Sequence, residues 1–246
     1  MSKLRYTVPN GLTSLSLLLG LASMVTTHMG NLELAAWMIV WCGLLDTLDG
    51  VVARLLKATS NFGAEFDSMA DLVSFGVAPA FLVLSAGMQL GEVAFGTGQF
   101  VVLATSCAVF ALAGAMRLAR FNLTSGEASD GWFAGIPITV CGGGLLSSLI
   151  LVLLKYDAVA AAMPLHLYLP VLMFVFALLM ISRLRFPKAR VRKSKLINIF
   201  QFTNIGLIFL CGVTRSFPEY LFGIGMFLLI AGIIAGRISR AEPAPA

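Results

Sequence analysis

DTLDGVVARLLKATSNFGAEFDSMAD, residues 46–71, sets four aspartates as two pairs, Asp46 with Asp49 and Asp67 with Asp71, in or beside apolar segments long enough to enter a membrane. An ionised carboxylate at mid-bilayer costs about 2.5–3.5 kcal/mol even on lenient insertion scales, so four together imply compensating cations. Helix positions three and four apart share a face, about 4.5–6 Å apart along the axis, so each pair can point at one site. Oxygen-only ligands of this kind suit hard divalent ions such as Mg2+ or Mn2+. Two such ions about 3.5–4 Å apart form a clamp for displacement at phosphorus. Both pairs lie towards the ends of their helices, where a pump or channel would less often keep its acids.

Outward from this stretch the chain is apolar almost throughout. Of its 246 residues 59% are hydrophobic and 12% charged, with a mean hydropathy of +0.92, which excludes an ordinary soluble domain. A spanning helix needs about 20 apolar residues, so the length holds about eight. The pattern predicts an all-α polytopic membrane protein, one membrane domain over 1–246. The expected spans are 8–27, 34–56, 66–86, 100–118, 136–154, 167–182, 196–213 and 220–238, with a short tail at 239–246. Pro9 then sits in the first turn of a helix. The segment after Lys3 and Arg5 is too long for a cleavable signal.

The net charge of +5 does not point to nucleic acid, because Lys and Arg cluster at the ends of apolar segments. With both termini cytoplasmic, all of the 17 basic residues except Lys155 and Arg215 fall on the cytoplasmic side. That topology puts the four aspartates at the cytoplasmic face of a cell (inner) membrane. Cys42, Cys107, Cys141 and Cys211 lie in apolar segments without metal-ligand spacing and read as reduced packing residues. His28 and His166 fall on the face opposite the aspartates, with no partner suggesting catalysis. CGGGLLSS, residues 141–148, reads as a close packing surface and not a nucleotide loop.

The pattern Asp46-x-x-Asp49-Gly50-x-x-Ala53-Arg54, eight residues, Gly63-x-x-x-Asp67-x-x-x-Asp71 resembles the full signature of the CDP-alcohol phosphotransferases, membrane enzymes of phospholipid synthesis. The resemblance implies their fold, two divalent ions (Mg2+ or Mn2+) and a homodimer. It makes Asp46, Asp49 and Asp67 metal ligands and Asp71 the general base, also in reach of a metal. Gly50, Ala53, Arg54 and Gly63 would hold the CDP moiety. Small residues admit a ligand close to the backbone, and Arg54 offers a fork of donors to phosphate.

PNGLT (9–13), FDSMADLVSFGVAPA (66–80), RLARFN (117–122) and FAGIP (133–137) resemble the phosphatidylserine synthase branch of that superfamily. This likeness spans about residues 8–140, and the helices over 141–238 share only the hydrophobic pattern. It implies transfer of the phosphatidyl group from CDP-diacylglycerol to L-serine, releasing CMP, with membrane lipids as surroundings. Asn10 reads either as a helix-start residue or as a lining of the site. Arg117 and Arg120, three apart on one face, read either as membrane anchors or as contacts to lipid phosphate or the serine carboxylate, and Asn122 travels with them. The basic block 183–195 reads as a loop touching anionic headgroups. Rival readings are another acceptor (glycerol 3-phosphate or an inositol phosphate), an archaeal ether-lipid donor, and, from a different class, a cation transporter.

Overall fold

In the computed structural model the described residues are 4–91, 93–124, 132–187 and 195–241. The helices are α1 (Leu4–His28), α2 (Leu32–Leu55), α3 (Asn61–Gln89), α4 (Gly98–Thr124), α5 (Thr139–Lys155), α6 (Asp157–Ala162), α7 (Leu165–Ile181), α8 (Lys195–Thr214) and α9 (Pro218–Ala241). Six of them, α1 to α4, α8 and α9, are long and apolar enough to cross a membrane, and α5 and α7 are shorter apolar helices. This is a multi-pass membrane protein built almost wholly of helix. The eight expected apolar segments are all helical, six of them long enough to span and two, α5 and α7, shorter. Lys155 and Tyr156 close α5, and the expected loop before α7 contains the short helix α6.

Boundaries differ where local chemistry overrides hydropathy. Helix α1 begins at Leu4, so Pro9 lies inside it and not in its first turn. Helix α3 starts five residues before Phe66, at Asn61, because Ser60 caps it: the Ser60 Oγ accepts from the Gly63 amide at 3.0 Å. Helix α9 runs on to Ala241, into the expected tail.

α1 and α2 form an antiparallel hairpin. It turns through Gly30 at φ +86, and Asn31 caps α2 by accepting from the Leu34 amide. The inward stripe of α1 is small and polar: Thr13, Ser16, Gly20, Ser23 and Thr27 are all buried. Such residues let backbones approach within a membrane, and the hydroxyls of Ser16 and Ser23 go to carbonyls of α2. Ser23 donates to Ala35 O at 2.9 Å, and Ser74 of α3 donates to Ser16 O at 3.1 Å.

α3 carries a π-helical stretch, Leu72–Val77, directly after Asp71. Pro79 explains it: proline has no N–H for the Phe75 carbonyl four residues back and would clash with it, so the helix widens by one residue. α5 opens with a second π-helical stretch, Thr139–Leu146. The two wide turns meet. A β-carbon at Gly142 would lie 1.9 Å from Phe75 O, and one at Gly143 would lie 2.9 Å from the Phe75 ring. The glycine run is thus the close packing surface its composition predicts. Around the contact the core gathers Phe75, Phe110, Leu82, Leu103, Ile138, Leu145 and Met173, all fully buried.

Two three-residue strands add a small ribbon outside the all-α expectation. β1 (Trp132–Ala134) pairs antiparallel with β2 (Arg185–Pro187), Phe133 opposite Phe186. It joins the FAGIP block to the start of the basic block, whose residues 188–194 lie outside the described residues. Phe186 packs on Gly232 of α9, where a β-carbon would lie 2.2 Å from its ring. The four cysteines are free and buried.

Candidate functional site

The turn between the two aspartate pairs is held at both ends. After α2 ends, the Lys57 amide donates to Arg54 O and the Ala58 amide to Ala53 O, with Lys57 at φ +49. This is a Schellman closure with lysine where glycine is usual. The Ser60 cap then launches α3 back along α2. Asp46 and Asp49, in the last three turns of α2, are therefore faced by Asp67 and Asp71 in the second and third turns of α3.

The result is convergence. Asp46, Asp49 and Asp67 can each place a ligand atom so that all lie within 4.8 Å of one another. Asp49 is buried, and Asp46 and Asp67 are half-buried. Asp71 lies beside them, close enough to Asp46, Asp67 and Asp49 for their charges to interact. Three carboxylates in such proximity repel unless a cation sits among them. Their hard oxygen donors, partly desolvated, fit Mg2+ or Mn2+. The buried guanidinium of Arg117, on α4, acts electrostatically on Asp71 from the other side.

The N-terminal helix contributes as well. Thr13 Oγ1 donates to Asp49 Oδ2 at 2.7 Å. Asn10, one turn earlier, brings its Oδ1 over Gly63: a β-carbon there would lie 3.3 Å from it and 3.1 Å from the capping Ser60 Oγ. Gly63 is thus glycine for space, and Asn10 lies within α1 beside it and not at a helix start. Arg54 lies back along its own helix over Gly50, its Nη1 3.8 Å from where a β-carbon would be. Ala53 lends its carbonyl to the closure and remains half-buried.

The other candidates from α4 separate. Arg120 turns to backbone: its Nη1 donates to Ile181 O at 2.8 Å and its Nη2 to Ala134 O at 2.8 Å, with Met180 O and Ser182 O also in reach. It caps the C-terminal end of α7 and pins the ribbon, where a cation is favoured by the helix dipole. Gly135, at φ +78, makes room for it. Asn122 joins α4 to α3, donating to Glu65 Oε2 at 3.0 Å and accepting from Ser68 Oγ at 3.1 Å. Arg117 acts electrostatically on Asp71, beside the cluster. Sequence reasoning missed Thr13 and Ser60. A threonine one turn after Pro9 and a serine three residues before Gly63 were the signals available.

An apolar groove opens beside the cluster. Val40, Leu44, Asp46 and Thr47 of α2 form one wall, the glycines of α5 its floor, and Ile208 of α8 with Leu228 of α9 the other wall. It brings hydrocarbon-sized space to the edge of a carboxylate site.

A family model described as CDP-alcohol phosphatidyltransferase matches residues 6–181. The CDP-diacylglycerol–serine O-phosphatidyltransferase of Helicobacter pylori (strain J99) is 40% identical over 134 residues, covering 54% of this chain and 53% of that protein. In that alignment the chain spans about half the length of its relative. A protein of the same name from Methanocaldococcus jannaschii is 29% identical over 228 residues, 93% of each chain. The archaetidylserine synthase of Methanothermobacter thermautotrophicus is 32% identical over 183 residues, 74% of this chain and 70% of that protein.

Proposed function

The chain belongs to the CDP-alcohol phosphatidyltransferase family, and from that premise we propose that it transfers the phosphatidyl group of CDP-diacylglycerol to the hydroxyl of L-serine, giving phosphatidylserine and CMP. The observation that carries this reading is the convergence of Asp46, Asp49 and Asp67 within 4.8 Å at one end of a membrane bundle. That all three relatives act on serine by name supports serine as acceptor.

Asp46, Asp49 and Asp67 would hold two divalent cations, with Asp71 close beside them. When bound, these ions neutralise the pyrophosphate of the donor and the departing CMP phosphate. Asp71, beside Asp46, takes the proton of the serine hydroxyl as its oxygen attacks the phosphorus bearing diacylglycerol, and the bond to the CMP oxygen breaks. Arg54, lying over Gly50, offers paired donors to the diphosphate, and the short side chains at Gly50, Ala53 and Gly63 admit the CDP moiety to the backbone. Arg117 balances Asp71 and stands where an anionic group of lipid or serine would meet it, while Arg120 and Asn122 keep α4 in register with its neighbours. Asn10 closes the site over Gly63. The apolar groove at Asp46 takes the acyl chains.

The site faces the cytoplasm in this reading, supported by the excess of Lys and Arg at the aspartate end, and the protein works as a homodimer. A second donor class is favoured by one observation, the likeness to an archaetidylserine synthase: an ether-linked CDP-lipid would fit the same headgroup site. The test is CMP release by detergent-purified protein with Mn2+ or Mg2+, offering ester- or ether-linked CDP-lipid and comparing serine with glycerol 3-phosphate and inositol phosphate. Release with serine alone, abolished by chelator, is expected. Release with another alcohol would reassign the acceptor; silence with every pair, in folded protein that binds the donor, would turn the reading to cation transport.

A further inference from the structure

Helix α1 spends most of its serine and threonine hydroxyls on backbone. Ser16 donates to Cys42 O, Ser23 to Ala35 O, Ser14 to Asn10 O and Thr26 to Ala22 O. Thr13 differs. Its Oγ1 lies 2.7 Å from Asp49 Oδ2 and 3.1 Å from Pro9 O, and a hydroxyl has one proton to give. The shorter distance and the charge of the acceptor both direct it to the carboxylate. Thr13 is 5% exposed and Asp49 6%, so water does not compete for the bond.

We propose that Thr13 is a positioning residue of the metal centre, holding Asp49 with one oxygen spent on its hydroxyl and the other presented to the cation. This rests on the metal reading of the aspartate cluster. Asp49 needs such a support because Asp46 and Asp67 push on it and a carboxylate turns readily about its last torsion. The hydroxyl, coming from a different helix, fixes the plane of the group against that push. Threonine suits the task because its branched β-carbon restricts the rotamer within a helix. Because α1 carries the residue, the first helix becomes part of the metal site as well as a wall of the bundle. Partners of this kind typically alter metal affinity 10- to 100-fold when removed.

The experiment is Mn2+ binding to detergent-purified full-length protein without substrate, read from the EPR signal of free Mn2+, for wild type, T13V, T13A and T13S. Expected is a dissociation constant raised about 10- to 100-fold in both T13V and T13A, with T13S within about threefold of wild type. In parallel, the Mn2+ concentration for half-maximal CMP release should rise by a similar factor in T13V, with kcat largely restored at saturating Mn2+. T13V and T13A that bind Mn2+ like wild type would overturn the inference and leave the metal reading standing. T13S as weak as T13V would overturn it too, by assigning the effect to side-chain shape. A wild-type protein with no Mn2+ site would overturn the metal reading itself, and this inference with it.

Discussion

The two ends of the bundle treat their acids in opposite ways. At the end away from the aspartates, Glu219 meets Lys155 at 2.5 Å and accepts from the Tyr156 hydroxyl at 2.7 Å, and Glu33 lies 3.9 Å from Arg215. Glu219 and Glu33 there each stand by a base. At the other end Asp46, Asp49 and Asp67 stand by one another, less exposed, with the charge of Arg117 acting on Asp71 beside them. Paired acids at a wet surface are fastening; acids gathered against acids in a semi-buried place are a site held ready for a cation. The bundle uses the same residue types for both purposes, and neighbourhood decides which.

The largest effect expected from this contrast is at Asp67. Asp67→Asn should lower CMP release by about a thousandfold, the scale of losing one charge-stabilising group at a reacting centre. The same substitution should raise the melting temperature of chelator-treated protein at pH 8, by about 2–4 °C for each kcal/mol of repulsion relieved. Added Mn2+ should raise the melting temperature of wild type more than that of the variant. A variant that melts lower both with chelator and with Mn2+ would place Asp67 with the structural acids of the opposite end and erase the contrast.

Next is the contact that carries α3 past Asp71. Gly142→Ala sets a β-carbon 1.9 Å from the Phe75 carbonyl, a backbone atom that cannot step aside as a side chain can. Overpacking of this kind costs about 1–3 kcal/mol or more. A fall in melting temperature of roughly 5 °C or more is expected, together with loss of turnover, because the strain falls four residues from Asp71. Normal turnover in a destabilised variant would show that the aspartate end is insulated from the π-helical junction. Gly225→Ala, where a β-carbon meets only the flexible end of Leu145, should be milder, which separates backbone from side-chain crowding.

Much of the site was legible before any coordinates, because carboxylates in apolar surroundings at helical spacing have few explanations. Asp46, Asp49, Asp67 and Asp71 converge as their spacing requires. The side chains that arrange them were harder to read. Thr13 is one hydroxyl among several on the same stripe, and only the register of α1 on α2 brings it to Asp49 and not to a carbonyl. Arg120 has the spacing of a partner to Arg117, yet its direction is set by where α7 ends, which no local pattern encodes. For the fold, hydropathy locates eight apolar helices but not the π-helical stretches in α3 and α5, which change hydrogen-bond register without changing apolarity. The ribbon joins segments far apart in sequence and three residues long, too short for any periodicity.

The closure after α2 sharpens the comparison at smaller scale. Lys57 occupies a left-handed position that costs a β-carbon-bearing residue about 1–2 kcal/mol, so Lys57→Gly should stabilise the protein by about 1 kcal/mol and leave turnover within twofold. A loss of turnover with that gain in stability would mean that the lysine charge, and not its backbone, serves the aspartate end.

The smallest effect is expected where fastening is all the acid does. Glu219→Gln removes the charge that faces Lys155 but keeps a carbonyl oxygen for Tyr156, and both partners are well exposed to solvent. Exposed pairs contribute little, so the melting temperature should move by no more than about 2 °C, and less still in high salt, which already screens the pair. CMP release and the Mn2+ dependence should both be unchanged, since Glu219 opens α9 at the end of the bundle opposite the aspartates. A change in Mn2+ dependence would be the informative failure. It would mean that the tilt of α9, which walls the groove at Asp46 through Leu228, passes from one end of the bundle to the other, and that the two ends are one mechanism and not two.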